Sequence, residues 1–278
     1  MKSSPAMPFR RVRNPPSSTA LTVSERLFEE YLRSHGIGFE HEPLIPGSSK
    51  RPDYRLIYGE SNPLVEVKEF IGAKGQLSRG AGFYDPYPII REKINAGSRK
   101  FRSLKNYPCA LLLHNVSGLL VRIDVPDIVM GAMLGDLGFK IQIEVGRGEA
   151  VGDPEPAFLG RGKMRDYKRN QPQNTTIRAL LVLEDFPVGV KRCVNEMQRL
   201  QSQYGRAPTE SELQPLYERA GERVLRVKYH ENPYAQPDFP RELFTGPFDE
   251  HWTWEADGRS TRSFVGTGLT ELEELKAS

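Results

Sequence analysis

The stretch RPDYRLIYGESNPLVEVKEF, residues 51–70, constrains the fold more than any other part of the chain. Two short apolar runs flank a glycine and a Ser-Asn-Pro triplet, which are typical of turns, so the stretch is predicted to form a β-hairpin. Side chains alternate between the two faces of a strand. Glu66 and Lys68 therefore project from one face, and Val65 and Val67 from the other. We expect the valine face to be buried and the opposite face to meet something polar.

An aspartate stands at the start of this hairpin. Asp53 is predicted to lie near the beginning of the first strand, within reach of Glu66 and Lys68. Two carboxylates and an ammonium that converge at a strand end suit a hard cation and a phosphate. Two other Pro-Asp pairs, at 126–127 and 237–238, lack an adjoining acid-x-Lys strand. The alternative is that the charges lie exposed on an edge strand.

A helix is predicted immediately before the hairpin. Residues 24–35 carry apolar side chains at helical spacing, and a serine or threonine at the start is expected to cap the helix. Glu25 and Glu29 are four residues apart and share one face. Residues 39–43 are predicted to form a strand. The order is thus a glutamate-bearing helix, a strand, a strand with Pro-Asp and a strand with Glu-x-Lys.

This order resembles the PD-(D/E)XK nuclease superfamily, the restriction-endonuclease-like fold, over residues 21–115. The positions similar to the motif are Glu25, Asp53, Glu66 and Lys68, and the helix around Glu25 is similar to that of archaeal Holliday-junction resolvases. The resemblance implies that all four are catalytic, and that Asp53, Glu66 and Glu25 bind Mg²⁺, with Mn²⁺ able to substitute. It implies a Mg²⁺-dependent endonuclease acting on DNA, and many members of this superfamily pair as homodimers.

Alternatives to this interpretation remain at the level of sequence. Glu29 takes the place of Glu25 if the register of the first helix differs. A catalytically inactive nucleic-acid-binding module on the same fold is the alternative function. A third possibility is an interaction protein in which the charges only solvate an edge strand.

Composition narrows the class of protein without identifying it. The chain has 39 Lys and Arg residues and 36 Asp and Glu residues, which gives a net charge of +3. Because this net charge is small, only local clusters of basic side chains can indicate nucleic-acid binding. Two cysteines are too few for a disulfide scaffold or a zinc site. No apolar run approaches the roughly 20 residues that span a membrane. The N-terminus lacks an apolar signal-peptide core, so we expect a cytoplasmic protein with no membrane partner.

Three groups of basic side chains are candidates for nucleic-acid contacts. A glycine-rich segment follows the hairpin, a predicted helix over 88–106 carries two lysines on one face, and the stretch 160–174 has the densest basic composition. As a mobile loop, this stretch would bind phosphates with salt-sensitive affinity. The alternative in each case is a solvated basic surface. The candidates are Lys74, Arg79, Lys93, Lys100, Arg161, Lys163, Arg165, Lys168 and Arg169.

The remaining pattern predicts one elaborated α/β domain. The continuous apolar runs 108–115 and 177–184 are typical of strands buried on both faces. We therefore expect a central mixed β-sheet flanked by helices over residues 21–265, a restriction-endonuclease-like core with insertions. Residues 1–20 are predicted to be a disordered basic tail, and residues 266–278 a C-terminal tail.

Three local features complete the prediction. Thr209 and Glu212 have the spacing of a capping box that begins a helix. The aromatic segment 238–254 is expected to be irregular and to cover a sheet edge or an apolar surface. His114, at the end of an apolar strand, is expected to have a structural role.

Overall fold

A computed structural model describes residues 20–71, 85–116, 122–144, 146–147, 150–166, 171–236, 238–254 and 260–277. Within these ranges the chain forms a mixed α/β fold, in which helices flank an eight-stranded mixed sheet. The predicted central mixed β-sheet flanked by helices is thereby confirmed. Apart from residue 20, the expected basic tail lies outside the described residues, and so do the candidates Lys74, Arg79, Lys168 and Arg169.

The helices and strands follow in chain order. The helices are α1 Val23–Ser34, α2 Tyr87–Phe101, α3 Pro126–Leu134, α4 Val188–Tyr204, α5 Glu210–Arg219 and α6 Thr267–Ala277. The strands are β1 Gly38–His41, β2 Tyr54–Ile57, β3 Leu64–Phe70, β4 Cys109–Asn115, β5 Asp136–Ile143, β6 Ala150–Leu159, β7 Arg165–Asp166, β8 Gln171–Pro172, β9 Ile177–Phe186, β10 Val224–Glu231, β11 Glu250–Trp254 and β12 Ser260–Val265. None of the described helices is long and apolar enough to cross a membrane.

The central sheet has the strand order β1-β2-β3-β4-β9-β10-β11-β12. The predicted hairpin is confirmed, since β2 and β3 pair antiparallel with Tyr54 opposite Val65. Strand β4 pairs in parallel with β3 on one side and with β9 on the other. The two long apolar runs, which form β4 and β9, are therefore neighbours in the sheet. The segment between them, with α3 and two small ribbons, is the predicted insertion.

Both faces of β3 are covered, each by a different helix. Val65 and Val67 pack against α1, which confirms that the valine face is buried. Leu64, on the other face, packs against α2. Because side chains two residues apart share a face, Glu66 and Lys68 lie on the α2 side with Leu64. The charged face therefore meets a helix and not only solvent.

Helix α1 begins with a capping box. The hydroxyl of Thr22 accepts a hydrogen bond from the Glu25 N–H at 3.2 Å, and the Glu25 carboxylate accepts one from the Thr22 N–H at 2.7 Å. These two bonds satisfy donors that a helix start otherwise leaves free. The apolar stripe of Phe28, Tyr31 and Leu32 is fully buried against the sheet. Capping and burial together set the position of α1.

The C-terminal part of the chain is more regular than predicted. The segment 238–254, expected to be irregular, contributes β11, which pairs in parallel with β10 and antiparallel with β12. Trp252, Thr253 and Trp254 are residue types enriched in strands, but the run EHWTW is only five residues long, and its pairing with β10 and β12 places it in the sheet. Phe239 and Phe244 of the same region are buried in the α1 core. The expected tail 266–278 contains α6, whose Leu269 is buried.

Strand β10 contains a buried histidine. His230 is fully buried, its ring stacks on Trp254 at 6.5 Å between centroids, and neither ring nitrogen has a partner among the described residues. Burial, followed by the charge of Lys228, lowers the pKa of His230 from 6.5 to about 3. The unfolded chain therefore binds a proton more readily than the folded protein between these values. Stability should fall as the pH drops through this window.

The variant His230→Phe is expected to remove this pH dependence. Between about pH 7 and about pH 4.5, the wild-type protein should lose about 2–3 kcal/mol more unfolding free energy than the variant. The reason is that only the wild-type chain gains a proton at this position on unfolding. Urea titrations of both proteins at the two pH values measure the difference. Equal losses in the two proteins would contradict a neutral buried His230.

Candidate functional site

Four charged side chains meet on the α2 side of the hairpin. Lys68 Nζ lies 2.6 Å from Glu66 Oε1, and Lys100 Nζ lies 2.9 Å from Asp53 Oδ1. Lys100 Nζ also contacts Glu66 Oε2. The ammonium of Lys100 therefore joins the two carboxylates, and that of Lys68 pairs with Glu66. We call these four residues the carboxylate–lysine cluster.

The backbone of the hairpin positions Asp53. Its Oδ2 accepts a hydrogen bond from the N–H of Val67 at 2.7 Å. Since Val67 lies between Glu66 and Lys68 in β3, this bond holds the aspartate beside both motif side chains. The carbonyl of Asp53 accepts a second bond, from the Glu42 N–H after β1, at 2.8 Å. The geometry thus follows from strand pairing at the beginning of the hairpin.

Helix α2 supplies Lys100 from its last turn. Residues seven apart lie on the same side of a helix. Lys93 Nζ lies 5.8 Å over the ring of Phe70, and Lys100, two turns later, reaches Glu66. The Lys100 side chain is 25% exposed, so it is not part of a solvated basic face. The spacing of Lys93 and Lys100 was the sequence signal that singled out this side of α2.

Burial and neighbouring charges shift two pKa values in the cluster. Burial raises the pKa of Glu66 and the charge of Asp53 raises it further, while Lys68 and Lys100 lower it. Burial lowers the pKa of Lys100, but Asp53 and Glu66 outweigh this effect, so its pKa is raised. Lys100 therefore stays an ammonium at neutral pH. With both acids ionised, two carboxylates and two ammonium groups balance each other.

The donor set fits a hard divalent cation. Glu66 Oε2 is buried and contacts the ammonium of Lys100, and Asp53 Oδ1 lies 2.9 Å from the same ammonium, so two carboxylate oxygens converge on one cation. Mg²⁺ is commonly bound through one or two carboxylates and keeps several waters. The described part of the chain contains no group of three or more His, Cys, Asp or Glu residues that could hold a metal. The protein would thus contribute two carboxylates, and water or backbone oxygen the rest.

The first-helix glutamates lie outside this cluster. The Glu25 carboxylate is used in the capping box with Thr22. Glu29, its predicted substitute, is buried and accepts a hydrogen bond from the Tyr54 hydroxyl at 3.3 Å. Helix α1 packs on the valine face of β3, whereas Glu66 projects from the opposite face. The described contacts include no hydrogen bond or ion pair from either glutamate to the cluster.

The basic stretch 160–174 lies on the other flank of α2. In its described parts Met164 is fully buried, and Asn174 accepts a hydrogen bond from Ser98. Ser98 and Lys100 project in different directions, because two residues turn a helix by about 200°. The described parts of the stretch are therefore anchored, in contrast to the predicted mobile loop. The contacts of the described residues include none from Arg161 or Lys163 to the cluster, and Arg165 lies in the short strand β7, which pairs with β8.

A separate cleft of about 680 Å³ lies at the carboxyl ends of β4 and β9. Two of its cations are paired with Glu184, Arg226 at 2.6 Å and Lys228 at 2.9 Å. His114 lines the same cleft, and its Nδ1 lies 2.7 Å from the hydroxyl of the fully buried Ser24. No member of the carboxylate–lysine cluster lines this cleft. The sequence offered no local signal for it, since its residues come from distant parts of the chain.

Comparisons with protein-family models, curated proteins and solved structures find no significant match to this chain. The resemblance to the PD-(D/E)XK superfamily therefore rests on the order of the motif residues alone.

Proposed function

We propose that this protein is a metal-dependent nuclease that hydrolyses phosphodiester bonds in the cytoplasm, with Mg²⁺ as cofactor and Mn²⁺ as a substitute. DNA is the favoured substrate, in a defence, recombination or repair role. One observation carries the proposal: Asp53, Glu66 and Lys68 lie together at one end of the hairpin. The hydrogen bond from the Val67 N–H to Asp53 and the ion pair between Lys68 and Glu66 hold them there. The similarity of motif order to the PD-(D/E)XK superfamily supports the same conclusion.

The roles of the residues follow from their chemistry. Asp53 and Glu66 would hold the divalent cation, which when bound stabilises charge on phosphoryl oxygens and activates water. Lys68 pairs with Glu66, and its side chain is 24% exposed, so its ammonium can also face a substrate. An ammonium in this position orients a water molecule and offsets negative charge that develops on the phosphate. Lys68 thus acts as an electrostatic donor rather than as a free base.

The variant Lys68→Ala is expected to bind nucleic acid as the wild-type protein does and to cleave it on the order of 10²–10³-fold more slowly. The reason is that the lost ammonium stabilises the transition state more than the bound substrate. Filter binding and single-turnover cleavage measure the two quantities. Lys50→Ala, which removes an exposed lysine near the hairpin, is the matched control. Undiminished cleavage by Lys68→Ala would remove Lys68 from the site.

The decisive test of the nuclease is cleavage of supercoiled plasmid and of DNA and RNA oligonucleotides. The plasmid, and each oligonucleotide in single- and double-stranded form, is incubated with Mg²⁺, with Mn²⁺ or with EDTA. The proposal requires cleavage that depends on the metal, and double-strand breaks would favour a homodimer, which sedimentation velocity detects. Purified protein that cleaves none of these substrates with either metal would overturn it.

A catalytically inactive nucleic-acid-binding module is the second candidate. The observation that favours it is the contact of Lys100 with both carboxylates, together with the use of Glu25 in the helix cap. Both candidate functions require that the protein binds nucleic acid. Only the nuclease predicts metal-dependent strand breaks, so the plasmid assay separates the two.

A further inference from the structure

The ammonium of Lys100 lies between the two carboxylates that would hold a divalent cation. It contacts Asp53 Oδ1 at 2.9 Å and also Glu66 Oε2. These are the two oxygens that face each other across the cluster. Like charges at such short separation repel strongly, even in a polar surrounding. The ammonium of Lys100 and a divalent cation therefore exclude each other from this position.

Charge balance points in the same direction. Two carboxylates and two ammonium groups sum to zero, so a divalent cation added to the intact cluster would leave an excess of +2 beside Glu66, which is 1% exposed. Departure of Lys100 from the carboxylates reduces that excess. The phosphates of a nucleic acid supply the remaining negative charge. A metal ion at this site should therefore bind more tightly when a polyanionic partner is bound as well.

Lys100 is placed where such a movement is feasible. It lies in the last turn of α2, its side chain is 25% exposed, and its four-carbon stem is flexible. An ammonium that leaves two carboxylates for a phosphate oxygen keeps a charge-assisted partner throughout. Lys93 lies on the same side of α2 but over the ring of Phe70, away from the carboxylates.

We propose that Lys100 is a displaceable internal cation that couples metal binding to nucleic-acid binding. It holds Asp53 and Glu66 together in the metal-free protein and turns to a backbone phosphate in the loaded complex. This inference rests on the proposed nuclease function and adds regulation to its site. By linkage, nucleic acid should raise the affinity for metal, and metal the affinity for nucleic acid, by one common factor of about 5–150-fold.

The test measures Mn²⁺ affinity by calorimetry, with and without a short phosphorothioate DNA duplex that resists cleavage. The proteins are wild type, Lys100→Met, Lys100→Gln and the matched control Lys105→Met, which removes an exposed lysine just beyond α2. Without DNA, both Lys100 variants should bind Mn²⁺ on the order of tenfold more tightly than wild type. The enhancement by DNA should shrink in these variants and stay unchanged in Lys105→Met. Thermal unfolding in EDTA verifies that each variant folds, and Mn²⁺ should raise the Tm of the Lys100 variants more than that of wild type.

The outcomes separate this inference from the nuclease proposal. Wild-type protein that binds Mn²⁺ and cleaves DNA, with no tighter Mn²⁺ binding in either Lys100 variant, overturns the inference alone. Tighter Mn²⁺ binding in the variants without any cleavage by wild type supports the internal cation and overturns the nuclease. Absence of Mn²⁺ binding in all four folded proteins overturns both.

Discussion

Asp53→Asn is expected to abolish metal-dependent cleavage, with a loss on the order of 10³-fold or more. The substitution removes one of the two carboxylate charges that would hold the cation. It keeps a side-chain oxygen that can accept the hydrogen bond from the Val67 N–H, now 2.7 Å from Asp53 Oδ2. The hairpin should therefore remain folded while the chemistry is lost.

Single-turnover cleavage and Mn²⁺ calorimetry measure the effect of Asp53→Asn. The matched control is Asp127→Asn, which changes the aspartate of another Pro-Asp pair, exposed in the first turn of α3. The control substitution should leave cleavage unchanged. It should lower the stability by a few tenths of a kcal/mol, as expected when a carboxylate near a helix N-terminus loses its charge. If Asp53→Asn cleaves as fast as Asp127→Asn, the metal site lies elsewhere in the chain.

Asp249→Ala should have the largest effect on stability, a loss on the order of 3–5 kcal/mol. Asp249 is 1% exposed, and its carboxylate accepts three hydrogen bonds. They come from the Tyr31 hydroxyl at 2.5 Å, the Gly246 N–H at 2.7 Å and the Val227 N–H at 2.7 Å. The donors belong to α1, to β10 and to the segment before β11. Removal of the carboxylate leaves all three donors buried without this acceptor.

Urea unfolding monitored by circular dichroism measures this loss. Tyr31→Phe removes only one of the three donors and should cost about 1 kcal/mol. Glu60→Ala, at an exposed turn of the hairpin, serves as the control and should fall within about 0.5 kcal/mol of wild type. A cost for Asp249→Ala as small as that of Glu60→Ala would show that the carboxylate does not hold these elements together.

Most of the fold near the cluster could be predicted from local patterns. The alternation in β3 predicted which side chains share a face, and the turn residues before it predicted the hairpin, because strand geometry depends on neighbouring residues only. The spacing of Thr209 and Glu212 likewise predicted a capping box, and the structure confirms this capping box at the start of α5. In each case the determining contacts lie within a few residues along the chain.

Long-range contacts decided the rest. Strand β11 forms against the edge of β10, and β12 forms against the edge of β11, and both pairings join segments that are distant from β10 in the chain. The capping box was predicted for α5 but not for α1, where Glu25 serves the helix start instead of the cluster. The basic stretch 160–174 packs beside α2 because Met164 has a place in the core. Sequence spacing alone contains none of these outcomes.

The sequence by itself determined the hairpin, the order of the helices and strands around it and the convergence of Asp53, Glu66 and Lys68, since strand periodicity and turn chemistry act locally. Only the tertiary structure decided that Lys100 joins the two acids and that Glu25 stays apart. The physical reason is that the packing of a helix on a sheet selects which of its flanks meets the charged strand, and that choice depends on the whole core.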